Sequence, residues 1–395
     1  MFFCKKLDYK KLSYSGLVDD LQFFLVGLLF LGINQGILNS TFNNYLYDNF
    51  MVSADARGVI EFPRELPGFL SIVITSVLAF WSVRGWAIIV GVLSAVGIAG
   101  MGFLSPNIAI MVVWMFLWSF ADHLFMSVES IVGLKLAPKN EEGKILGRIS
   151  GMRNLAAIVG SFLVFLLMGH LHWGYRQLYG VAVATATFAA FSFYLMDVQQ
   201  EELPPKKFVY KREYNVFYLM NILFGARKQI FLTFAPWVLV SVYKVSTDTM
   251  AMLFVVASAI GFIFRQYFGI CVDRYGERTI LAADAVILLL ICMGFAFAKN
   301  VYFLYVCFII DGLMFATRIA RTTYLKKILL HQRDIAPTIS FGISIDHAVS
   351  MAIPFLGGML WHVYGYQILF LVASLLAFAN FLVAIRIKTM RHSPV

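Results

Sequence analysis

The stretch His172-Trp173-Gly174-Tyr175 returns 191 residues later as Val363-Tyr364-Gly365-Tyr366. The same offset places Gly151 over Gly342, so the correspondence extends beyond one short motif. Because 191 residues is about half of this 395-residue chain, the sequence indicates a duplicated unit. Both copies consist of long apolar runs of the length that crosses a bilayer. The repeat therefore predicts two related bundles of membrane-spanning helices.

The composition agrees with a membrane protein. Hydrophobic residues make up 60% of the chain and charged residues 14%, whereas soluble domains average about 45–50% and about 25%. The net charge of +10 would suggest a nucleic-acid partner in a soluble protein. Basic loops on one side of a bilayer explain it better here, so we expect no nucleic acid. The four cysteines lack the spacing of a zinc site, and three of them lie within or at the end of apolar segments, where they are predicted to be structural.

Twelve segments are long and apolar enough to be predicted as spans. Their approximate bounds are 19–43, 58–81, 86–104, 107–136, 147–171, 176–196, 214–243, 249–272, 279–298, 301–329, 336–362 and 366–387. We therefore predict an all-α membrane protein with twelve transmembrane helices in two pseudo-symmetric six-helix bundles. Residues 1–196 form the first bundle, 197–213 a polar cytoplasmic linker, and 214–395 the second bundle.

The Lys and Arg residues between the spans predict the orientation. One side carries 21 of them, together with both termini and the linker, and the other side carries four. The four are Arg57, Arg176, Lys244 and Lys299. We therefore place both termini in the cytoplasm, which requires an even number of spans, and we predict a multi-pass protein of the cytoplasmic (inner) membrane.

The loop between spans eight and nine has an unusual composition, Gly269-Ile270-Cys271-Val272-Asp273-Arg274-Tyr275-Gly276-Glu277-Arg278. Gly269 allows close helix approach, and Gly276 allows a tight turn. Asp273 is placed where its carboxylate can meet the positive N-terminal end of a helix from the other half. By pseudo-symmetry that helix is span five, near Arg148. We predict a gate from Gly269, Asp273, Arg274, Gly276, Arg278 and Arg148.

This loop matches the G-x3-D-[RK]-x-G-x-[RK] signature of the major facilitator superfamily, which the chain resembles over its full length. The resemblance implies a substrate site between two six-helix bundles, a latch that breaks as the halves rock, and spans three, six, nine and twelve on the outside. The first half departs from the pattern, because Ser82 and Val83 stand where Asp and Arg would be. The latch is therefore predicted to be one-sided. Span five also lacks the Gly-Pro pair of drug antiporters in this family, which weighs against multidrug efflux.

Ionisable side chains inside the spans are expected to face protein or water, since each costs on the order of 2.5–3.5 kcal/mol in hydrocarbon. Spans three, six and twelve have none in their interiors, and span nine has only Asp284, near its cytoplasmic end. For Arg153, Arg321 and Glu129 the sequence favours snorkelling at helix ends. The remaining groups are Glu61, Arg64, Glu65, Asp122, His123, Arg227, Lys228, Arg265, Asp311, Arg318, Asp346 and His347.

The first half is richer in intramembrane acids and the second half in cations, which suggests a division of roles. Asp122, helped by His123, is predicted to take and release a proton. Arg227, Lys228 and Arg265 are predicted to dock an anionic group, with Asp311 neutralising one of them when the site is empty. The span-one amides Asn34 and Gln35 are candidates for substrate binding, although such amides equally often form hydrogen bonds between helices.

Three functions are compatible with this pattern. The leading one is a secondary transporter that couples a small organic anion to protons by alternating access. The second is an exporter of drugs or lipid-like amphiphiles, and the third is a receptor or scaffold on the same fold that transports nothing. No Walker loop or nucleophile motif supports an enzyme. We predict no cofactor and no metal site, with His170 and His172 on a solvated external turn. The predicted partners are the substrate, the proton and the lipid bilayer, with the protein acting as a monomer.

Overall fold

The computed structural model describes residues 9–70, 82–137, 141–197, 210–331 and 334–387. Every regular element within these ranges is helical. The first half contains α1 (Tyr9–Phe50), α2 (Ala54–Phe69), α3 (Val83–Phe103), α4 (Ile108–Lys135), α5 (Glu142–Gly169) and α6 (Tyr175–Tyr194). The second half contains α7 (Asn215–Trp237), α8 (Thr247–Phe297), α9 (Val301–Met314), α10 (Arg318–Ile328), α11 (Ile335–Tyr364) and α12 (Tyr366–Ala384). Most of the predicted linker 197–213 lies outside the described residues, so the domain bounds stay a prediction.

Three short helical pieces complete these elements. The 3-10 helices Arg212–Tyr214 and Phe315–Thr317 precede α7 and α10, and the π-helix Val238–Val242 extends α7. Predicted span ten therefore consists of α9, the 3-10 turn and α10. Spans eight and nine share α8, which is interrupted at Gly276, where φ is 79° and ψ is 156°. Glycine adopts this backbone conformation without strain, so the tight turn expected at this position is present.

Nine helical segments of the described ranges are long and apolar enough to cross a membrane. They are Asp20–Phe50, Val83–Phe103, Ile108–Lys135, Lys144–Gly169, Thr247–Arg265, Tyr267–Phe297, Val301–Ile328, Pro337–Tyr364 and Tyr366–Ala384. They correspond to nine of the twelve predicted spans, and spans two, six and seven have no counterpart among them. Span two is α2, which contains internal charges and two prolines. Span six is α6, and span seven is α7, which continues as a π-helix.

The same helix pairs pack together in both halves. In the first half α1 packs on α5 and α6, and α3 packs on α4 and α6. In the second half α7 packs on α11 and α12, and α8 packs on α9 and α12. These are equivalent pairs under the 191-residue offset. Equivalent caps also begin α4 and α9, since Asn107 and Asn300 each accept a hydrogen bond from a first-turn backbone N–H. The internal repeat of the sequence is thus a repeat of packing.

The halves are joined at the outer end, which we define as the end holding Asn44 and Val245. Asn44 donates a hydrogen bond to the Val245 carbonyl oxygen at 2.8 Å. α2 lies against α11 so closely that a Cβ on Gly58 would overlap the carbonyl oxygen of Pro354. Small residues permit this backbone approach, as in other membrane helix contacts. The Lys and Arg distribution predicts that this end is extracellular.

Open space adjoins several glycines at the inner end, which we define as the end holding Arg148 and Asp273. Gly147 and Gly151 on α5 and Gly269 on α8 all adjoin open space, since within the described structure a Cβ on any of them would have no neighbour within 4 Å. Among the described residues, the halves therefore meet at the outer end, and open space adjoins α5 and α8 at the inner end.

Candidate functional site

A buried ion network lies along one face of α2, because its charges are spaced three or four residues apart. Glu61, fully buried, lies 2.5 Å from Arg57 and 2.6 Å from Arg64, and Arg64 also lies 3.0 Å from Glu65. Arg57 donates a further hydrogen bond to Asn43 at 2.9 Å. Paired in this way, the charges tolerate burial. The prediction that Arg57 lies in an external loop is wrong, since its side chain is part of this network.

The network continues across the boundary between the halves through two histidines. Nδ1 of His347, on α11, lies 3.1 Å from Oε2 of Glu65, and Nε2 of His123, on α4, lies 4.0 Å from the same oxygen. The two imidazoles meet edge to face with centroids 5.2 Å apart. His123 therefore lies beside the acid and histidine of other helices as well as beside Asp122 on its own helix.

Arg153, on α5, is the centre of a second network in the first half. Its guanidinium lies 2.7 Å from Glu129 and 3.5 Å from Asp122, and it donates to the amide oxygen of Gln35 at 3.0 Å. The prediction that Arg153 and Glu129 snorkel is wrong, because each finds its partner inside the bundle. Asp122 keeps 33% of its side chain exposed, so one acid of the network remains in contact with solvent.

In the second half, two of the three predicted docking cations already have acid partners. Arg227 and Asp311 form a hydrogen-bonded ion pair in which both side chains are 2% exposed. Lys228 lies 2.6 Å from Asp346. Asp311 thus pairs with Arg227 in this structure, and its role beside a substrate stays a prediction.

Two further groups of the second half differ from their predicted places. Arg321 does not snorkel, because it is 6% exposed and its guanidinium lies over the Phe224 ring, 3.4 Å from the centroid. Asp284 is not peripheral, because it is 2% exposed, and neither of its carboxylate oxygens has a hydrogen-bond partner among the described residues. Hydropathy alone could not find these positions, since they depend on how α7, α8 and α10 pack.

Three adjoining cavities are lined mainly by residues of the second half, with Asn154 of α5 also lining the first and Met126 of α4 the third. Their volumes are about 210, 560 and 320 Å³. Arg265 and Phe315 line the first two, and Phe315 and Arg318 line the last two. Neither Arg265 nor Arg318 forms an ion pair or a side-chain hydrogen bond with any residue that the structure describes. These cavities therefore present two guanidinium groups that have no protein partner there.

The charged residues of the predicted gate lie at the surface. Asp273, Arg274, Arg278 and Arg148 are all exposed, and Asp273 has no ion-pair partner within the described ranges. The next acid of the loop, Glu277, instead lies 2.8 Å from Lys327 on α10. No hydrogen bond or ion pair joins Asp273 to the described residues at the start of α5, and the role of the predicted latch stays a prediction.

The span-one amides mainly connect helices. Asn34, which is 3% exposed, donates to the Ala182 carbonyl oxygen on α6 at 2.8 Å. Gln35 accepts from Arg153. Both also line a very small cavity of about 10 Å³ beside Asp122. They lie in the first half, apart from the cations of the second, and their role as substrate ligands stays a prediction.

The sequence interpretation assigned no site role to Glu65 or His347, although they form the closest polar contact between the halves near the middle of the bundle. The available signal was the spacing of acids on α2, in Glu61-Phe62-Pro63-Arg64-Glu65, which places both carboxylates on one side of a helix. Nothing in the sequence indicates that His347, 282 residues away, meets this helix.

Two helical bundles with repeated packing, ion networks inside the spans and cavities open to one end define a multi-pass membrane transporter. A sequence model of the Major Facilitator Superfamily matches residues 25–325 and 217–394, and the chain belongs to this family. The resemblance seen in the loop sequence is therefore confirmed. No curated protein matches this chain.

Solved structures show the same fold. The nucleoside transporter NupG superposes in two crystal structures. A point mutant gives a TM-score of 0.75 over 94% of this chain and 100% of that structure. The second structure gives 0.70 over 94% of this chain and 99% of that structure. A D-xylose-proton symporter superposes with a TM-score of 0.70, over 95% of this chain and 98% of that structure. Each is 14% identical in sequence, so the likeness concerns the fold.

Proposed function

We propose that this protein is a proton-coupled secondary transporter of a small organic anion that works by alternating access. The proposal rests on which cations of the second half are paired with protein acids and which are not. Arg227 and Lys228 are neutralised by protein acids, whereas Arg265 and Arg318 have no such partner among the described residues. Both arginines are exposed at the walls of these cavities, where a cation without an acid partner favours an anionic ligand.

The walls of the cavities suggest the form of that anion. A guanidinium offers a planar fork that matches a carboxylate or a phosphate. Phe231, Phe254, Phe308 and Phe315 line the first cavity beside Arg265. We therefore propose a small acid with an apolar body, whose charged group contacts Arg265 or Arg318 while its body lies against the aromatic rings.

The first half supplies the groups for proton coupling. Asp122 and Glu129 share Arg153, so protonation of Asp122 would leave the guanidinium to Glu129 and change the balance of the network. Asp122 is also partly exposed, which gives protons access. His123 is a second candidate because it lies beside Asp122 and Glu65. A structural neighbour described as a proton symporter supports coupling of this kind in the fold.

The proposal is tested by substitution of Arg265 in protein reconstituted into liposomes. Loss of a charge-assisted hydrogen bond costs about 1.5–3 kcal/mol, so Arg265→Ala should weaken substrate affinity by about 10- to 150-fold. Uptake of carboxylate and phosphate candidates would be measured against substrate concentration. The control is Arg176→Ala, which removes an exposed arginine that lies over Phe103. Equal affinities in the two variants would contradict the proposal.

Export of amphiphiles is a second candidate, favoured by the same aromatic cavity. A substrate of that class would bind through the phenylalanines and would not need Arg265. The assay with Arg265→Ala separates the two functions, because transport of lipophilic cations should persist or improve when the arginine is removed.

A further inference from the structure

We propose that Glu65, His123 and His347 bind a divalent metal ion of the Zn²⁺ class between the two halves. The sequence alone predicts no metal site, because these residues come from α2, α4 and α11. The structure brings one ligand atom of each to within 4.8 Å of the others. This inference stands independently of the anion proposed above, since it concerns different side chains in another part of the molecule.

The separations of the ligand atoms fit one ion. Zinc bonds of about 2.0–2.2 Å in a tetrahedral arrangement place ligand atoms about 3.3–3.6 Å apart. Nδ1 of His347 lies 3.1 Å from Oε2 of Glu65, and Nε2 of His123 lies 4.0 Å from it. These two separations lie on either side of the required value, and all three ligand atoms lie within 4.8 Å of one another, so side-chain rotations that shorten the longer separations would form the site.

The surroundings of His123 decide which ring nitrogen carries the proton. The other nitrogen, which faces the carboxylate, then keeps a free lone pair. Nδ1 lies 2.9 Å from the backbone carbonyl oxygen of Ser119, which can only accept a hydrogen bond, so Nδ1 carries the proton. In the neutral imidazole Nε2 is then a bare acceptor that points at the Glu65 carboxylate, another acceptor. A cation between them resolves this opposition. Orientation of a ligand histidine by a backbone carbonyl is the usual arrangement around protein-bound metals.

Gly68 provides the space that the two rings occupy. A Cβ at this position would overlap the His347 imidazole and would lie 2.6 Å from Cδ2 of His123. Gly68 is three residues after Glu65, so the same face of α2 supplies both the carboxylate and the opening for the rings. This cradle is a second observation, separate from the ligand distances, that points to a built site.

The neighbouring charges leave one oxygen of Glu65 for the ion. Arg64 lies 3.0 Å from Oε1, whereas both histidines approach Oε2. Three protein ligands leave the fourth position of a tetrahedral ion open to water or to an anion, as in non-structural zinc sites. His347 also lines the third cavity, which provides a route to the site.

Ligands from both halves make metal binding depend on conformation. Glu65 and His123 belong to the first half and His347 to the second, so their relative positions change when the halves rock. The ion binds best where all three converge and therefore stabilises that conformation. It acts either as cargo that the halves carry or as a brace that holds them together.

The test is metal binding by the purified full-length protein after treatment with a chelator. We expect Zn²⁺ and Co²⁺ to raise the melting temperature by about 3 °C or more near saturation and about one ion to remain per chain after desalting. Mg²⁺, which prefers oxygen ligands, should have no effect. Both responses should disappear in His347→Gln and Glu65→Gln. The control is His362→Ala, which removes an exposed histidine from the same helix and should respond as the unaltered protein does.

A second measurement keeps the proposal testable if these variants fold poorly. Bound Co²⁺ in the unaltered protein should show the visible absorption of a tetrahedral nitrogen and oxygen site and should lose it on addition of Zn²⁺. Accumulation of Zn²⁺ in proteoliposomes identifies cargo, and arrest of transport without entry of Zn²⁺ identifies a brace; either outcome supports the site. Absence of any metal response, or an equal response in His347→Gln and His362→Ala, overturns it.

Discussion

The Asp122 side chain is partly exposed and lies farther from Arg153 than Glu129 does. Its carboxylate lies 3.5 Å from Arg153, while Glu129 lies 2.7 Å from the same guanidinium. Loss of the Asp122 charge therefore leaves Arg153 with its stronger partner, and the helix packing is retained. The side chain can thus change its protonation without loss of the network, which a coupling group requires.

We expect Asp122→Asn to abolish accumulation of substrate driven by a pH gradient and to retain exchange of substrate across the membrane. The amide preserves the shape of the side chain but cannot carry the proton. Counterflow and pH-driven uptake would be compared in the same proteoliposomes. Glu141→Gln, a change in an exposed acid that pairs with Lys144 at the inner end, serves as control. Unaltered pH-driven uptake by Asp122→Asn would contradict the assignment.

Asp334 offers a residue-scale prediction outside the spans. A hydrogen bond from the Lys211 ammonium at 2.5 Å, helped by one from the Tyr214 hydroxyl at 2.9 Å, holds the pKa of Asp334 below its usual range. Because the folded-state pKa is depressed, the stabilisation is present above the unfolded pKa of about 3.9 and is lost as the pH falls through the folded value. Asp334→Asn should thus lower the melting temperature at pH 7 and make no difference at strongly acidic pH. A difference that persists in acid would indicate another cause.

At the scale of elements, the contact of α2 with α11 is the closest approach of the halves. Gly58 and Gly358 lie where the backbones meet, since a Cβ on Gly358 would be 2.8 Å from the Ala54 carbonyl oxygen. Neither Gly58 nor Gly358 has a positive φ. Their role is therefore to permit close packing, which closes the outer end.

We expect Gly58→Ala to prevent full closure of the outer end. Overpacking costs about 1–3 kcal/mol, which would shift the balance between the two conformations by about 5- to 150-fold and slow transport accordingly. Gly151→Ala is the matched control, because the same methyl group on α5 meets open space. Transport rates and spectroscopic distances across the outer end would be measured. Equal behaviour of the two variants would show that this contact does not limit closure.

The elements themselves could largely be predicted from the sequence, because spans depend on local hydropathy. The break in α8 followed from Gly276, where the loop pattern required a turn. The hydropathy pattern gave wrong predictions for charged residues that are buried. Arg57 follows Asp55 in a short polar stretch after α1 and was placed in a loop, although its guanidinium is satisfied by Glu61 one turn later. Hydropathy counts such a charge as exposed, whereas the structure pairs it.

The candidate site was harder to predict than the elements. Intramembrane charges could be found from their cost in hydrocarbon, but their partners come from distant segments. Arg227 meets Asp311 across 84 residues, and Glu65 meets His347 across 282. Such pairings depend on which helices adjoin, and one sequence carries no direct record of this. The signs of the charges therefore suggested an anion site from Arg227, Lys228 and Arg265. Among the described residues, Arg227 and Lys228 pair with acids, while Arg265 and Arg318 form no ion pair.

For the whole molecule, the decisive feature is that the halves meet at the outer end, through contacts such as the hydrogen bond from Asn44 to Val245, while open space adjoins α5 and α8 at the inner end. Within the described ranges, no hydrogen bond or ion pair joins Asp273 to the start of α5. A static receptor or scaffold would keep this shape. A transporter must also adopt the reverse one, in which Asp273 has its partner and the outer contacts are broken.

We expect the inner end to close when substrate binds. Spin labels on cysteines introduced at Gly151 and Gly269, in a background without Cys4 and Cys271, would report the distance between α5 and α8, since both positions adjoin open space. Substrate should add a population with a shorter distance, and Asp273→Asn should reduce it because the carboxylate no longer meets the helix N-terminus, an interaction of about 0.3–1 kcal/mol. Glu213→Gln, a change in another exposed inner-end acid, should leave the populations unchanged. A single long distance that no substrate alters would favour a receptor or scaffold over a transporter, because alternating access requires both ends of the bundle to open in turn.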